Sequence, residues 1–355
     1  MSATWGKKIR YTIFGESHGK GIGITIDGLP PGFEIDLAEI SKEMARRAPG
    51  RSPLATARTE KDAFTIYSGF VNGKTTGTPL CAIIENLNQK STDYEAMNQK
   101  FRPGHADYSG YIKYNGFNDI RGGGHFSGRL TAPLVLAGAI GKQLLLQKNI
   151  LIGAHIQRIG SVSAPQFDTV TIKPAVLAQL NNQEFAVLDP LIVEQMQQCI
   201  LSAKSAGDSV GGIIETAAIN LPAGLGDPFF DSLESTLTHL LFSIPGIKGV
   251  EFGAGFNFAE MCGSVANDAI YNQDGVIKTT TNHNGGILGG ITNGMPLIFR
   301  VAIKPTPSIN IEQHTVDSKG ENVMIVVGGR HDPCIVPRAV PVVEAVTAMA
   351  ILDIL

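Results

Sequence analysis

The chain has 355 residues, 43% of them hydrophobic and 17% charged, and a formal net charge of −3. That length exceeds what one simple core usually holds, so it calls for a large domain built from two halves or two closely packed ones. The charge balance argues against a nucleic-acid partner, and any anion site has to be assembled locally.

The charged share lies below the roughly 25% of ordinary globular proteins. With 41 glycines, this points to much buried surface, part of it between subunits. Cys81, Cys199, Cys262 and Cys334 show no metal-binding spacing and read as buried thiols of a reduced, cytoplasmic protein. No charged-then-apolar leader opens the chain. The longest apolar stretch, 133–153, is broken by Lys142, Gln143, Gln147, Lys148 and Asn149, and reads as a core helix rather than a membrane span.

In chain order, residues 9–14 form an expected strand leading into GESHG at 15–19. Ile22, Ile24 and Ile26 alternate, which predicts a second strand. Asp36 and Glu39 have the spacing of a capping box, and Leu37, Ile40 and Met44 make one helical face. The helix ends at Arg46-Arg47, before Pro49-Gly50. Four arginines, Arg46, Arg47, Arg51 and Arg58, then occur without an intervening acid. Such a run can be a solvated face, or it can receive a carboxylate or phosphate.

Residues 63–67 predict a strand and Asn72-Gly73 a hairpin turn. Gly73-Lys74-Thr75 mimics the end of a nucleotide-binding loop, but Ser68 stands where that pattern needs its first glycine. FRPGHADY at 101–108 is a polar loop with Arg102 and His105. Helices are expected at 189–206, with Asp189 as cap and Gly207 as stop, and at 231–243. Strands are expected at 151–159, 211–219 and 297–303, and an apolar helix at 341–352.

Residues 119–133, DIRGGGHFSGRLTAP, are the densest signal in the chain. Gly122, Gly123 and Gly124 suit left-handed backbone or close approach to a ligand. Ser127 opens a run with helical spacing, and a glycine-rich turn feeding a helix offers unpaired N–H groups to an anion. Arg121, His125 and Arg129 surround it. These features suit a phosphate-bearing ligand. Three later loops, HNGGILGG at 283–290, KPTPS at 304–308 and RHDPC at 330–334, add to a composite pocket.

The run strand, Leu29-Pro30-x-Gly32, acid, helix recurs as strand, Leu221-Pro222-Ala223-Gly224, acids, helix. This repeat predicts two related halves. Hairpin-linked strands with separate helices define an α+β fold, a sandwich of antiparallel sheets and helices within one large domain spanning 1–355. The residues alone stop at a phosphate-bearing ligand, and leave open a phosphotransferase using the 73–75 loop and a non-enzymatic assembly protein.

GESHGKGIGITIDGLP (15–30), GGGHFSGRLTAPLVLAGA (122–139) and RHDPCIVPRAVPVVEAV (330–346) resemble the three signature stretches of the chorismate synthase family. FRPGHADY, SIPGIKGVEFGAGF (243–256), HNGGILGG and KPTPS fit it as well, in order, over nearly the whole chain. The resemblance implies a lyase of the shikimate pathway that eliminates phosphate from 5-enolpyruvylshikimate 3-phosphate to give chorismate. It implies a requirement for reduced FMN without net redox, and commonly a homotetramer. NADPH or an external flavin reductase would supply the reductant, and the absence of an inserted domain favours the external source.

By position, the resemblance makes His18 and His105 the catalytic histidines, with His18 serving the flavin and His105 the departing phosphate. It puts Asp332 near the flavin as partner to the C6 proton. For FMN it implies His125, Phe126, Ser127, Pro245, Gly246, Gly289, Lys304, Pro305, Thr306, Pro307, Ser308 and Arg330. For the substrate it implies Arg47, Arg51, Arg129 and Arg338. Two departures stand out: His125-Phe126-Ser127 replaces the Arg-Ser-Ser of many relatives, and Pro53 stands where an arginine is often found.

Overall fold

Ile22, Ile24 and Ile26 fall on one face of the strand Gly21–Asp27, and all three are buried, as a period of two requires where a sheet face meets a core. The computed structural model describes residues 3–50, 54, 62–87, 100–329 and 331–355. Its first sheet orders five antiparallel strands as Thr4–Trp5, Arg10–Gly15, Gly21–Asp27, Leu80–Glu85 and Phe64–Ser68. The second orders Ile247–Phe252, Leu297–Ile303, Gly212–Ile219, Leu151–Ile159 and Val162–Ser163, again all antiparallel.

The two sheets share one topology. In each half the four main strands lie in the order first, second, fourth, third, with a helix after the second strand and another after the fourth. The helices are Leu37–Arg47 and Thr131–Leu146 in the first half, Leu233–Ser243 and Val336–Ile354 in the second. The repeated Leu-Pro turns occupy the same place in both, between the second strand and its helix. This is the expected pair of related halves, and one hydrophobic cluster runs through both.

Most local signals are realised. Asp36 Oδ1 accepts from the N–H groups of Ala38 and Glu39 at 2.8 and 3.2 Å. The reciprocal arm of the expected capping box goes elsewhere: the Asp36 N–H donates to Gln143 Oε1 at 2.9 Å, so tertiary contact replaces Glu39. Asn72 and Gly73 both have positive φ, 49° and 81°, as the tight turn between Phe70–Val71 and Lys74–Thr75 demands. The 231–243 helix starts at Leu233, capped by Ser232 rather than Asp231.

The C-terminal helix begins at Val336, five residues before the expected start, and runs through Pro341. Pro337 sits in the first turn, where a missing N–H costs little, whereas Pro341 forfeits one helical hydrogen bond. Burial of Val340, Val342, Val343 and Val346 outweighs that loss. The thiols also differ from expectation: only Cys334 is buried, and Cys262 is exposed.

The helices Thr131–Leu146 and Val336–Ile354 pack closely at the centre. A Cβ on Gly138 would lie 2.2 Å from the Ala345 Cβ, and Gly141 faces Ala348 and Leu352. Residue numbers rise together along this contact, so the two helices run in the same direction. Gly128–Leu146, the first of these helices with the turn before it, is apolar and long enough to cross a membrane by length and composition, but it is mostly buried within the protein.

One charged cluster lies in this apolar layer. Glu344, wholly buried, accepts from Arg46 Nη1 and Nη2 at 2.6 and 3.0 Å, from Lys142 Nζ, and from the Ala154 N–H at 3.1 Å. Glu43 completes it, 2.8 Å from Arg46 and 3.2 Å from Lys142. Burial opposes ionisation of Glu344, but Arg46 and Lys142 outweigh it and hold the carboxyl at about 2.

Glu344→Gln leaves two buried cations short of countercharge, so it should cost about 3–5 kcal/mol in denaturant unfolding at neutral pH. The folded pKa lies below the unfolded one. The carboxylate's contribution is therefore complete above about pH 4.5 and is lost as the pH falls through about 2. The stability gap between wild type and variant should accordingly narrow from pH 7 to pH 2.5 and close only below about pH 2.

Candidate active site

Equivalent loops of the two halves meet at one end of the molecule. The first half supplies the turn after Gly15, the loop 101–106 and the glycine loop 121–130 that opens its long helix. The second supplies 304–308 and 331–335, the latter opening the C-terminal helix. Gly104 and Pro307 face each other, and Lys304 Nζ donates to the Gly104 carbonyl. Arg338 Nε donates to the Arg47 carbonyl at 3.0 Å. Both long helices thus point their N-termini, and the partial positive charge there, to this end.

The glycine run is built around the two histidines. Gly122, Gly123 and Gly124 have φ of 58°, 86° and 53°, which side chains adopt only with strain. A Cβ on Gly122 would fall 2.1 Å from the His18 ring, and one on Gly123 would fall 3.1 Å from His105 Nε2. Consecutive glycines therefore carry consecutive imidazoles, brought from positions 87 residues apart in sequence. The Ser17 N–H donates to the Gly124 carbonyl at 3.2 Å, and His125 Nδ1 lies 3.0 Å from the Gly15 carbonyl. These bonds lock the loop onto the GESHG turn.

The arginines divide. Arg46 turns into the core cluster, whereas Arg47 turns toward the site: Nη1 reaches Asp62 Oδ2 at 2.5 Å and Nε reaches Thr131 Oγ1 at 3.1 Å. Arg129 pairs with the other oxygen of Asp62 and donates from Nε to Asn86 Oδ1 at 3.1 Å. Asn86 in turn donates to the carbonyls of Glu16 and Gly19, the residues that frame Ser17 and His18. Burial pushes the Arg47 guanidinium down, against the pull of Asp62, to about 10, so it stays charged at neutral pH. Burial also opposes the charge on Asp62, but Arg47 and Arg129 hold its carboxyl below the usual range.

In the second half, Asp332 pairs with Arg338 six residues on. His331 Nε2 lies 3.1 Å from the Gly328 carbonyl oxygen, which accepts its N–H. Burial, helped by Arg102, lowers its pKa, so it is neutral at pH 7. Lys304 is likewise lowered, by burial and by Lys248. Its N–H donates to the Gly246 carbonyl at 2.9 Å, and Ser209 Oγ donates to the Thr306 carbonyl at 2.7 Å. A small cleft beside these loops is lined by Ser308, Asn310, His331 and Asp332.

The structure therefore assembles His18, His105, Asp332, Arg47, Arg129, Arg338, Ser127, Pro245, Gly246 and the 304–308 loop at one end. Phe126 packs under the same loop against Gly110 and Tyr114. Gly289 is not brought to this end of the chain. It adjoins Gly290, whose carbonyl accepts from the Leu233 N–H at the opposite end of the helix that leads to Pro245-Gly246. Arg51 and Arg330 lie outside the described residues, as do Pro53 and Arg58. Three partners went unmarked in the sequence reading: Asp62, Asn86 and Asp107. Only Asp107, two residues after His105, carried a local signal.

A duplicated sandwich with a cationic, histidine-bearing site at the meeting of its halves defines an enzyme that handles an anionic small molecule. Residues 9–355 match the family model described as chorismate synthase. The chain is 48% identical to the chorismate synthase of Thermococcus gammatolerans over 349 residues, covering 98% of this chain and 96% of that protein. It is 45% identical to that of Dehalococcoides mccartyi over 355 residues, covering 100% and 96%. A crystal structure of chorismate synthase superposes with a TM-score of 0.78 at 31% identity, covering 99% of this chain and 92% of that one. The chain belongs to the chorismate synthase family, lyases of the shikimate pathway that use reduced flavin.

Gly122→Ala tests the fit of the loop to His18. Positive φ and the collision with the imidazole should together cost about 1–3 kcal/mol and lower turnover at least tenfold. Gly128→Ala is the matched control, since nothing lies within 4 Å of its Cβ position; it should retain wild-type turnover and melting temperature.

Proposed function

We propose that this chain eliminates phosphate from 5-enolpyruvylshikimate 3-phosphate in the 1,4-anti sense to give chorismate, with reduced FMN required and no net redox change. The observation that carries the reading is the seating of His18 and His105 on consecutive glycines beside three arginines. A substrate with a phosphate and two carboxylates needs clustered cations, and a departing phosphate needs a positioned acid.

The 304–308 loop suits the flavin phosphate. Lys304 supplies a cation, and Thr306 Oγ1 is buried without a hydrogen-bond partner among the described residues, a hydroxyl that a phosphate oxygen would satisfy. Gly246 lies against the same loop, its carbonyl accepting from the Lys304 N–H, and the family resemblance assigns Ser127, Ser308 and Arg330 to the flavin as well. Reduced FMN, when bound, would supply electron density to the reacting allylic system and a basic nitrogen for the departing proton. His105 donates a proton from its ring to the departing phosphate oxygen as the C–O bond breaks. Asp332, oriented by Arg338, would act as the flavin's proton partner and so help remove the proton from C6. His18, held by Gly122, maintains the flavin's protonation state. Arg47, Arg51, Arg129 and Arg338 bind the substrate's anionic groups.

In this reading 1–355 is one domain acting in the cytoplasm, and FMN is reduced by a separate flavin reductase drawing on NADPH. The exposed Phe229, Phe230, Phe256 and Ile270 suit faces between copies in a homotetramer, which light scattering would test.

The assay is phosphate release and chorismate absorbance from the enolpyruvyl substrate under anaerobic conditions with reduced FMN; no product with flavin and substrate both present rules the function out. His18→Ala and Asp332→Asn should each lower turnover about 10²–10⁴-fold while melting temperature and ternary binding stay near wild type. Normal turnover in either removes that residue from the mechanism.

Lys304→Ala should weaken FMN binding by about 1.5–3 kcal/mol, the size of one charge-assisted hydrogen bond. A flavin titration showing unchanged affinity places the phosphate elsewhere.

A further inference from the structure

His105 does not stand alone. Its Nδ1 lies 2.6 Å from Asp107 Oδ1, and its Nε2 faces Gly123 on the opposite side of the ring. Asp107 is in turn gripped by Arg102. Oδ2 accepts from the Arg102 N–H at 3.0 Å and from Nε at 2.7 Å, and Oδ1 accepts from Nη2 at 2.8 Å. Both Arg102 and Asp107 are largely shielded from solvent, with side chains 7% and 11% exposed.

We propose that Asp107 is a positioning residue for His105: it takes the Nδ1 proton, fixes the tautomer and ring orientation, and leaves Nε2 as the nitrogen that works on the substrate. Arg102 holds Asp107 in place and supplies its countercharge. The proposal rests on the acid role assigned above to His105.

The more ordinary reading is that Asp107 caps the helix Asp107–Lys113, since acidic residues are favoured in a first turn. The hydrogen bonds argue against it. The side-chain oxygens of Asp107 are taken up by Arg102 and His105, and the helix has no side-chain cap. Arg102 Nη2 also comes within 3.2 Å of His105 Nδ1. A guanidinium can only donate, so a carboxylate at 2.6 Å is the stronger claimant for a protonated Nδ1. Burial opposes the charge on Asp107, but the bonds from Arg102 and His105 hold its carboxyl well below the usual range. It therefore accepts a hydrogen bond at every pH at which the enzyme would work.

Fixing the tautomer matters because only one ring nitrogen can face the substrate. In the imidazolium, Nδ1–H stays with Asp107 while Nε2–H points at the glycine loop. As the C–O bond breaks, the phosphate leaves with the bonding pair and takes the Nε2 proton. Neutral His105 remains with its proton on Nδ1, ready to be recharged at Nε2. Asp107 keeps its charge throughout, as the carboxylate of a hydrolase triad does. Among the described residues, His331, close enough to feel the charge of His105, Lys304 on the Gly104 carbonyl, and His18 on the adjacent glycine are further titratable groups near this ring.

The test combines a mutant cycle with a spectroscopic readout on the full-length protein. Asp107→Asn should lower kcat about 10²–10⁴-fold with little change in KM or flavin binding, and Asp107→Glu should recover part of the loss. In the background of His105→Ala, Asp107→Asn should cost nothing further, because Asp107 acts only through that ring. An additive loss in the double variant overturns the proposal while leaving His105 as the acid. Nitrogen-15 NMR of neutral His105 in the wild-type protein should show the proton on Nδ1; a proton on Nε2 also overturns it, whatever the variants' stability. Wild-type turnover in His105→Ala alone refutes the acid role itself, and the positioning role with it.

Discussion

The buried carboxylate of Glu344 is the contact on which the arrangement of the molecule depends. It belongs to the C-terminal helix of the second half, yet its partners Arg46 and Lys142 come from both helices of the first. Its remaining acceptor capacity goes to the Ala154 N–H in the second sheet. One side chain thus joins three helices and a strand in a layer otherwise built of valine, leucine and alanine. Such a cluster often adds no more net stability than apolar residues of equal volume, but removing one partner leaves a buried charge uncompensated. Sliding either long helix by one turn would strand a charge.

That register is what makes the site. The close approach at Gly138 and Ala345 sets the two long helices side by side and in the same direction. Their N-termini open to the same end, and so do the loops that feed them. His18 and His105 then meet on Gly122 and Gly123, and Arg338 reaches the backbone of Arg47. The positions of the two imidazoles and of Arg47, Arg129 and Arg338 follow from this core packing.

The halves have kept one topology and divided the work. At one matched position across three paired strands, the first half has Phe14, Gly23 and Ile83. The second has His155, Glu215 and Arg300 at the same pairing. A partly exposed apolar contact in one is a buried polar network in the other, with His155 Nε2 2.9 Å from Glu215 and Arg300 beside it. The loops differ likewise. The first half carries the histidines and the glycine run, and the second carries Lys304, Thr306 and Asp332. Neither half holds a complete site.

Sequence by itself determined what local chemistry decides. The strands 151–159 and 297–303 follow from runs of β-branched and apolar residues, and the helix after Asp36 from its cap and apolar stripe. Asn72-Gly73 could make little other than a tight turn, and three successive glycines could only be special backbone. The related halves were legible because the Leu-Pro turn recurs at the same structural step. The signature stretches pointed to the family and its histidines.

Tertiary structure decided everything that depends on a partner distant in sequence. Adjacent Arg46 and Arg47 look alike as text, yet helix geometry sends one into the core and the other to Asp62. Pro341 appeared to begin a helix because its local cost is plain, whereas the burial that overrides it lies in another segment. Asp36 exchanged Glu39 for Gln143 for the same reason. Asp107 stood two residues from His105 in the sequence, but only folding shows that its carboxylate faces the ring nitrogen. Local patterns report the backbone's own preferences; the direction a charged side chain takes is set by countercharges that the fold alone brings near.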